Sequence, residues 1–202
     1  MDPILKSLKK IVKNEFAFGL NEKDNPNDIN EWVDTGCYAL NAALSDGDIF
    51  KGIPRGKRIT LAGPSSTARS YFIMYMIKAF TQNVKNPYVV VFESEGASIT
   101  KMAFDFGVPE EKVIIFPVST IEIFRTQITN LLDEIIEIRN KDKNLETQPN
   151  FLIALDSLGM LGTDKEYKDA IYGSEKADMT RAKLIRSVFR LITLKLSLTQ
   201  TT

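Results

Sequence analysis

Arg58-Ile59-Thr60-Leu61-Ala62-Gly63-Pro64-Ser65-Ser66-Thr67-Ala68-Arg69-Ser70 decides how the chain is read. It predicts a short buried strand over 58–62, a tight polar loop, and a helix over 70–80 that is apolar nearly all round. A loop placed after a strand and before a helix suits an anion. The first amides of the helix lack intrahelical partners and carry partial positive charge. The phosphate-loop pattern G-x-x-x-x-G-K-[ST] is met at Gly63 and Ser70. Ala68 stands where the pattern has its second glycine, and Arg69 where it has lysine. Arg69 keeps the cation but presents a wide planar fork. Ala68 adds a Cβ where backbone and phosphate come close. The plain alternative is an ordinary strand–turn–helix corner.

Around this stretch the chain alternates strand and helix. Tyr88-Val89-Val90-Val91-Phe92, Val113-Ile114-Ile115-Phe116 and Phe151-Leu152-Ile153-Ala154-Leu155 are continuous apolar runs. Such runs fit parallel strands covered on both faces. A helix is expected over 98–106, ended by Gly107. Another follows to about Arg139, entered through a capping box of Ser119 and Glu122. A charged loop from Gly159 to Asp178 and a last helix over 179–196 complete the pattern. A short helix after Thr35-Gly36 precedes it. The fold expected is an α/β sandwich with a mostly parallel sheet.

The chain divides in two on composition. Residues 1–30 read as a basic amphipathic helix over about 3–18, with Ile4, Leu8, Ile11 and Val12 on one stripe, followed by a polar linker. Residues 31–202 read as the α/β core. The helix is either an arm that docks elsewhere or an ordinary helix packed on its own domain.

The chain has 202 residues, with 26 Lys plus Arg balancing 26 Asp plus Glu, no histidine and one cysteine, Cys37. These counts exclude an intrachain disulfide, cysteine-rich or histidine-ligated zinc, and every histidine-based triad or dyad. No apolar stretch is long enough for a membrane helix, and the basic start lacks the form of a signal peptide. A soluble protein of a reducing cytoplasm is expected. The zero net charge conceals segregation, because both ends are basic and the acids lie between. It therefore does not exclude a nucleic-acid partner.

Two strand ends carry acids. Asp156, closing an apolar strand, reads as an aspartate that holds Mg²⁺ or reinforces Ser70. Phe92-Glu93-Ser94-Glu95 puts a carboxylate at the same edge, suited to polarising water. The alternative there is a pair of solvated acids. Between Gly159 and Lys183, the basic residues Lys165, Lys168, Lys176, Arg181 and Lys183 sit among Tyr167 and Tyr172. They are candidates for holding single-stranded nucleic acid. Acids interleave with them, so a solvated mixed-charge loop is the alternative.

Taken in order, these residues resemble the RecA-type strand-exchange recombinases, most closely the branch found in T-even phages. The likeness covers about residues 35–193. Thr35 to Ser45 looks like the lead-in to the nucleotide loop, and Phe92-Glu93-Ser94-Glu95 like the catalytic-glutamate strand. Asp156 to Leu161 looks like the Walker B segment, and Lys176 to Lys183 like the end of a DNA-binding loop. The resemblance implies a RecA-like ATPase core that takes ATP and Mg²⁺. It puts Gly63, Pro64, Ser65, Ser66, Thr67, Ala68, Arg69 and Ser70 around the nucleotide, Ser70 and Asp156 on Mg²⁺, and Glu95 on the attacking water.

The same resemblance implies single-stranded DNA along Lys165, Lys168, Lys176, Arg181 and Lys183. It further implies self-association, or docking on a full-length recombinase, through the N-terminal helix, in the cytoplasm of an infected bacterial host. Members of the family carry further strands, a second DNA loop and a γ-phosphate sensor that 199–202 do not supply. A core lacking the C-terminal strands, with hydrolysis weakened by Arg69, is expected. The competing expectation is a catalytically silent interaction protein that caps or modulates a recombinase filament.

Overall fold

The computed structural model describes residues 2–12, 17–18, 25, 28–29, 31–64, 66–96, 99–142, 144, 146–172 and 180–202. In chain order the elements are α1 (Pro3–Val12), β1 (Trp32–Val33), α2 (Tyr38–Leu44), β2 (Ile53–Pro54), α3 (Arg69–Asn83) and β3 (Pro87–Glu93). There follow α4 (Ile99–Asp105), β4 (Val113–Pro117), α5 (Ile121–Lys141), β5 (Asn150–Asp156), α6 (Asp164–Tyr172) and α7 (Arg181–Thr199). β3 lies between β4 and β5, all parallel. Glu93 stands opposite both Pro117 and Asp156, so the carboxyl ends of the strands are level.

The apolar run of β3 explains its central place. Val89 and Val91 face a core with Met74, Ile77, Phe80 and Ile99, while Val90 and Phe92 face one with Phe124, Ile128, Leu132, Val188 and Ile192. α3 and α4 therefore cover one face, and α5 and α7 the other. This two-sided burial is what parallel strands require, and the fold is α/β with a parallel sheet. β1 and β2 form a small antiparallel pair beside it.

Several expectations are corrected. Residues 58–62 form no strand: the chain runs extended, with Ile59 and Leu61 against the α3-side core, but pairs with no strand among the described residues. An apolar run becomes a strand only where a partner strand lies within hydrogen-bonding reach, and the one residue bonded to the outer edge of β5 among those described is Thr202, at Phe151 and Ile153. α3 is not buried all round: Tyr71, Phe72 and Tyr75 stay exposed, the two tyrosines packing on Phe106. The cap of α5 is Thr120, whose hydroxyl accepts from the Ile123 N–H, rather than Ser119. Glu122 instead accepts from the Asp164 N–H.

The charged stretch after Gly159 contains α6, opened by a reciprocal box. Thr163 N–H donates to Glu166 at 2.7 Å, and Glu166 N–H donates to the Thr163 hydroxyl at 3.0 Å. α1 ends at Val12, and Ala17 and Phe18 are not helical. Its stripe of Ile4, Leu8, Ile11 and Val12 is exposed, and no α1 residue is buried. Most of the expected linker lies outside the described residues.

The segment leading into the sheet is fixed by Asn41, which is fully buried. Its Oδ1 accepts from the Thr35 N–H and hydroxyl; its Nδ2 donates to Asp34 and to the Ile49 carbonyl. Gly52 packs against it with φ +153°, and a Cβ there would lie 2.7 Å from Asn41 Oδ1. The Asn41 amide and the Gly36 N–H hold the Asp34 carboxyl below its ordinary value.

Replacement Asn41→Leu leaves several of these groups without partners and is expected to cost about 2–4 kcal/mol at pH 7. A lowered carboxylate pKa stabilises above the unfolded value and loses that contribution as pH falls through the folded value. The difference between the two proteins therefore narrows below about pH 4. Urea unfolding across pH measures both effects.

Candidate functional site

Level strand ends bring the acids of β3 and β5 to one edge, and α3 begins there. Ser70, in the first turn of α3, donates its hydroxyl to Asp156 Oδ2 at 2.6 Å. Asp156 is 6% exposed, so this hydroxyl is its link to the loop side. A cis peptide joins Asp156 to Ser157. Ser94 Oγ accepts from the Ser157 N–H and donates to the Ser157 carbonyl, each at 2.8 Å, and the Ser94 N–H donates to the Asp156 carbonyl at 2.9 Å. Ser157 Oγ donates to Glu95 Oε1 at 2.6 Å. The Glu95 N–H in turn donates to Glu93 Oε1 at 2.7 Å. Ser70, Asp156 and Glu95 are thus brought together through Ser157.

Ser94 and Ser157 are the residues that sequence reasoning left without roles. The visible signal was a hydroxyl directly after each strand-ending acid. It gains meaning only when Glu93 and Asp156 are known to be in register.

The loop before α3 closes on itself. Thr67 Oγ1 donates to the Pro64 carbonyl, and Arg69 Nη1 to the Gly63 carbonyl, each at 2.8 Å. A Cβ on Gly63 would lie 2.7 Å from Thr67 Oγ1, so a side chain there would push the Thr67 hydroxyl off the Pro64 carbonyl. Ser66 and Ala68 have φ of +62° and +60°, and Ser65 lies outside the described residues. Ala68 therefore adopts the left-handed backbone that the pattern's glycine takes without strain.

The Ser70–Asp156 oxygen pair fits Mg²⁺, a hard cation that takes one or two protein oxygens and keeps waters or phosphates for the rest. No group of three or more His, Cys, Asp or Glu side chains gathers for a metal among the described residues.

Of the candidate DNA contacts, Lys165 and Lys168 lie on α6, and Arg181 and Lys183 open α7. Lys176 lies outside the described residues. Arg181 Nη2 donates to the Gly159 carbonyl at 2.6 Å and the Leu158 carbonyl at 3.4 Å. Its fork thus braces the turn after Asp156. Lys168 and Lys183 are exposed. No helix among the described residues is long and apolar enough to cross a membrane.

No protein-family model matches the chain. Over 173 residues it is 34% identical to a "Recombination and repair protein" of Enterobacteria phage T4. The match covers 86% of this chain and 39% of that protein, so the chain spans well under half the length of the curated relative.

Two substitutions test the local geometry by denaturant unfolding. Ala68→Gly relieves the left-handed alanine and is expected to stabilise by about 1 kcal/mol. Ser70→Ala leaves Asp156 without its hydroxyl donor and is expected to cost about 1–3 kcal/mol.

Proposed function

We propose that the protein acts in phage DNA recombination and repair, as the name of its T4 relative suggests. Its core on this reading is RecA-type, of the T-even kind usually called UvsX, and binds ATP with Mg²⁺ and single-stranded DNA in the infected host. The observation that carries the reading is the 2.6 Å contact between Ser70 and Asp156, with Glu95 tethered beside it through Ser157.

The loop Gly63 to Ser70 and the first amides of α3 would hold the phosphates, with Ser70 and Asp156 serving Mg²⁺. Mg²⁺, when bound, neutralises charge on phosphate oxygens. Glu95, exposed and oriented by the Ser157 hydroxyl, is suited to accept a proton from water. Arg69 is tied to the Gly63 carbonyl and has the wrong shape for a lysine's place, which supports weak hydrolysis. Lys165, Lys168, Lys176 and Lys183 supply the cations for DNA.

A second reading is a catalytically silent partner of a full-length recombinase, and the exposed apolar stripe of α1 favours it. Co-sedimentation of this protein with a full-length phage recombinase, before and after removal of residues 1–12, tests that reading. Loss of association on removal supports it, and no association in either case contradicts it.

The principal reading is tested by fluorescence anisotropy of a labelled oligo-dT. Binding is expected to require ATP and Mg²⁺ and to weaken at least tenfold between about 50 and 200 mM salt. Absent or salt-insensitive binding contradicts the DNA half. In the Ala68→Gly, Arg69→Lys double variant, ATP hydrolysis is expected to rise on the order of a hundredfold. Unchanged hydrolysis contradicts the role given to Arg69.

A further inference from the structure

Arg181 stands in the first turn of α7, where a cation opposes the helix dipole, and no acid in that turn offsets it. Its charge is met by backbone elsewhere. Nη2 donates to the Gly159 carbonyl at 2.6 Å and to the Leu158 carbonyl at 3.4 Å. Nε is buried without a hydrogen-bond partner among the described residues. A guanidinium holds a phosphate bidentately through two neighbouring N–H groups, and either such pair includes Nη2. Here Nη2 is occupied by carbonyls and Nε is enclosed, so the fork is turned into the protein.

The two carbonyls belong to one 3-10 turn, Leu158–Met160, that begins directly after Ser157. Both ends of the turn are anchored. On the near side the Met160 N–H reaches back to the Ser157 carbonyl at 3.3 Å, and Ser94 Oγ holds the Ser157 N–H and carbonyl. On the far side Leu161 is fully buried, and the Gly162 N–H donates to the Ser119 carbonyl at 3.2 Å. Arg181 grips the middle. Gly159 lies beside the Ser157 hydroxyl: a Cβ built on it would stand 3.8 Å from Ser157 Oγ. That hydroxyl donates to Glu95 Oε1 at 2.6 Å. Arg181, Gly159, Ser157 and Glu95 therefore make one run of contacts, from the start of α7 to the carboxylate beyond the end of β3.

We propose that Arg181 is a positioning residue: by holding the 158–160 turn it fixes the Ser157 hydroxyl, and through it the direction of the Glu95 carboxylate. A carboxylate that takes a proton from water must point at that water, so its orientation enters the rate directly. A side chain of α7 thereby controls an acid that its own helix never meets. The inference rests on the reading of Glu95 as the proton acceptor and names what orients it.

The test compares Arg181→Leu, Ser157→Ala and the double variant. Amide exchange is measured first, without nucleotide. In Arg181→Leu the Ser157 and Met160 N–H groups are expected to exchange about tenfold faster, with Val91 at the centre of β3 unchanged. Unchanged exchange at Ser157 and Met160, or equal acceleration at Val91, overturns the proposal. ATP hydrolysis is measured second, with all variants carrying Ala68→Gly and Arg69→Lys. Arg181→Leu and Ser157→Ala are each expected to lower kcat about tenfold with KM within about twofold, and the double variant to be no slower than the slower single one. An Arg181 that merely supports the fold would make the two losses multiply, and that result overturns the proposal, as does a loss carried by KM. No hydrolysis in the protein with Arg181 and Ser157 intact overturns the reading of Glu95, and the exchange result tells that failure from failure of the Arg181 contact.

Discussion

The hydrogen bond from Ser70 to Asp156 joins two parts of the chain that nothing local brings together. It fixes the first turn of α3 to the last residue of β5. Asp156 is buried, and a buried carboxylate is tolerated where it is hydrogen-bonded. The adjoining serines extend the same logic. Ser94 holds both backbone groups of Ser157, and Ser157 then fixes the Glu95 carboxylate. An edge with two level acids thus becomes an ordered set of oxygens.

The sheet behind that edge depends on two separate cores. Adjacent β3 residues bury in opposite directions, so helices are needed on both sides, and α5 and α7 pack extensively to form one of them. Arg55 closes the opposite end. Its guanidinium is 2% exposed and binds the Gln200 carbonyl as well as Asn150, tying the end of α7 to the start of β5. Burial lowers its pKa, with Glu31 at 3.8 Å opposing that shift. Arg139 nearby is pushed down to about 10 by burial and by Arg55.

Much of this was legible in the residues. The continuous apolar runs at 88–92 and 151–155 fit strands of a covered parallel sheet, and both lie in paired parallel strands. The spacing of Ile121, Phe124, Ile128, Leu132 and Ile135 gave α5 its buried face. The strand expected at 58–62 fails because pairing is non-local, and no apolar count reveals whether a partner strand lies within reach. α6 was readable from Thr163 and Glu166, but the surrounding charges suggested a loop. Within the candidate site, the residue types at 70, 95 and 156 were evident, whereas the serine bridge needed the strand register. Arg181 looked like a cation for DNA; its carbonyl partners 22 and 23 residues away are visible only in the fold.

Ligand-dependent thermal unfolding of the wild type and Asp156→Asn tests the central claim most directly, namely that the Ser70–Asp156 edge is a Mg²⁺–nucleotide site. ATP with Mg²⁺ is predicted to raise the wild-type Tm in a concentration-dependent way. EDTA, or Asp156→Asn in a protein that still unfolds cooperatively, is predicted to abolish the rise. No rise in the wild type, or an equal rise in the variant, contradicts the account.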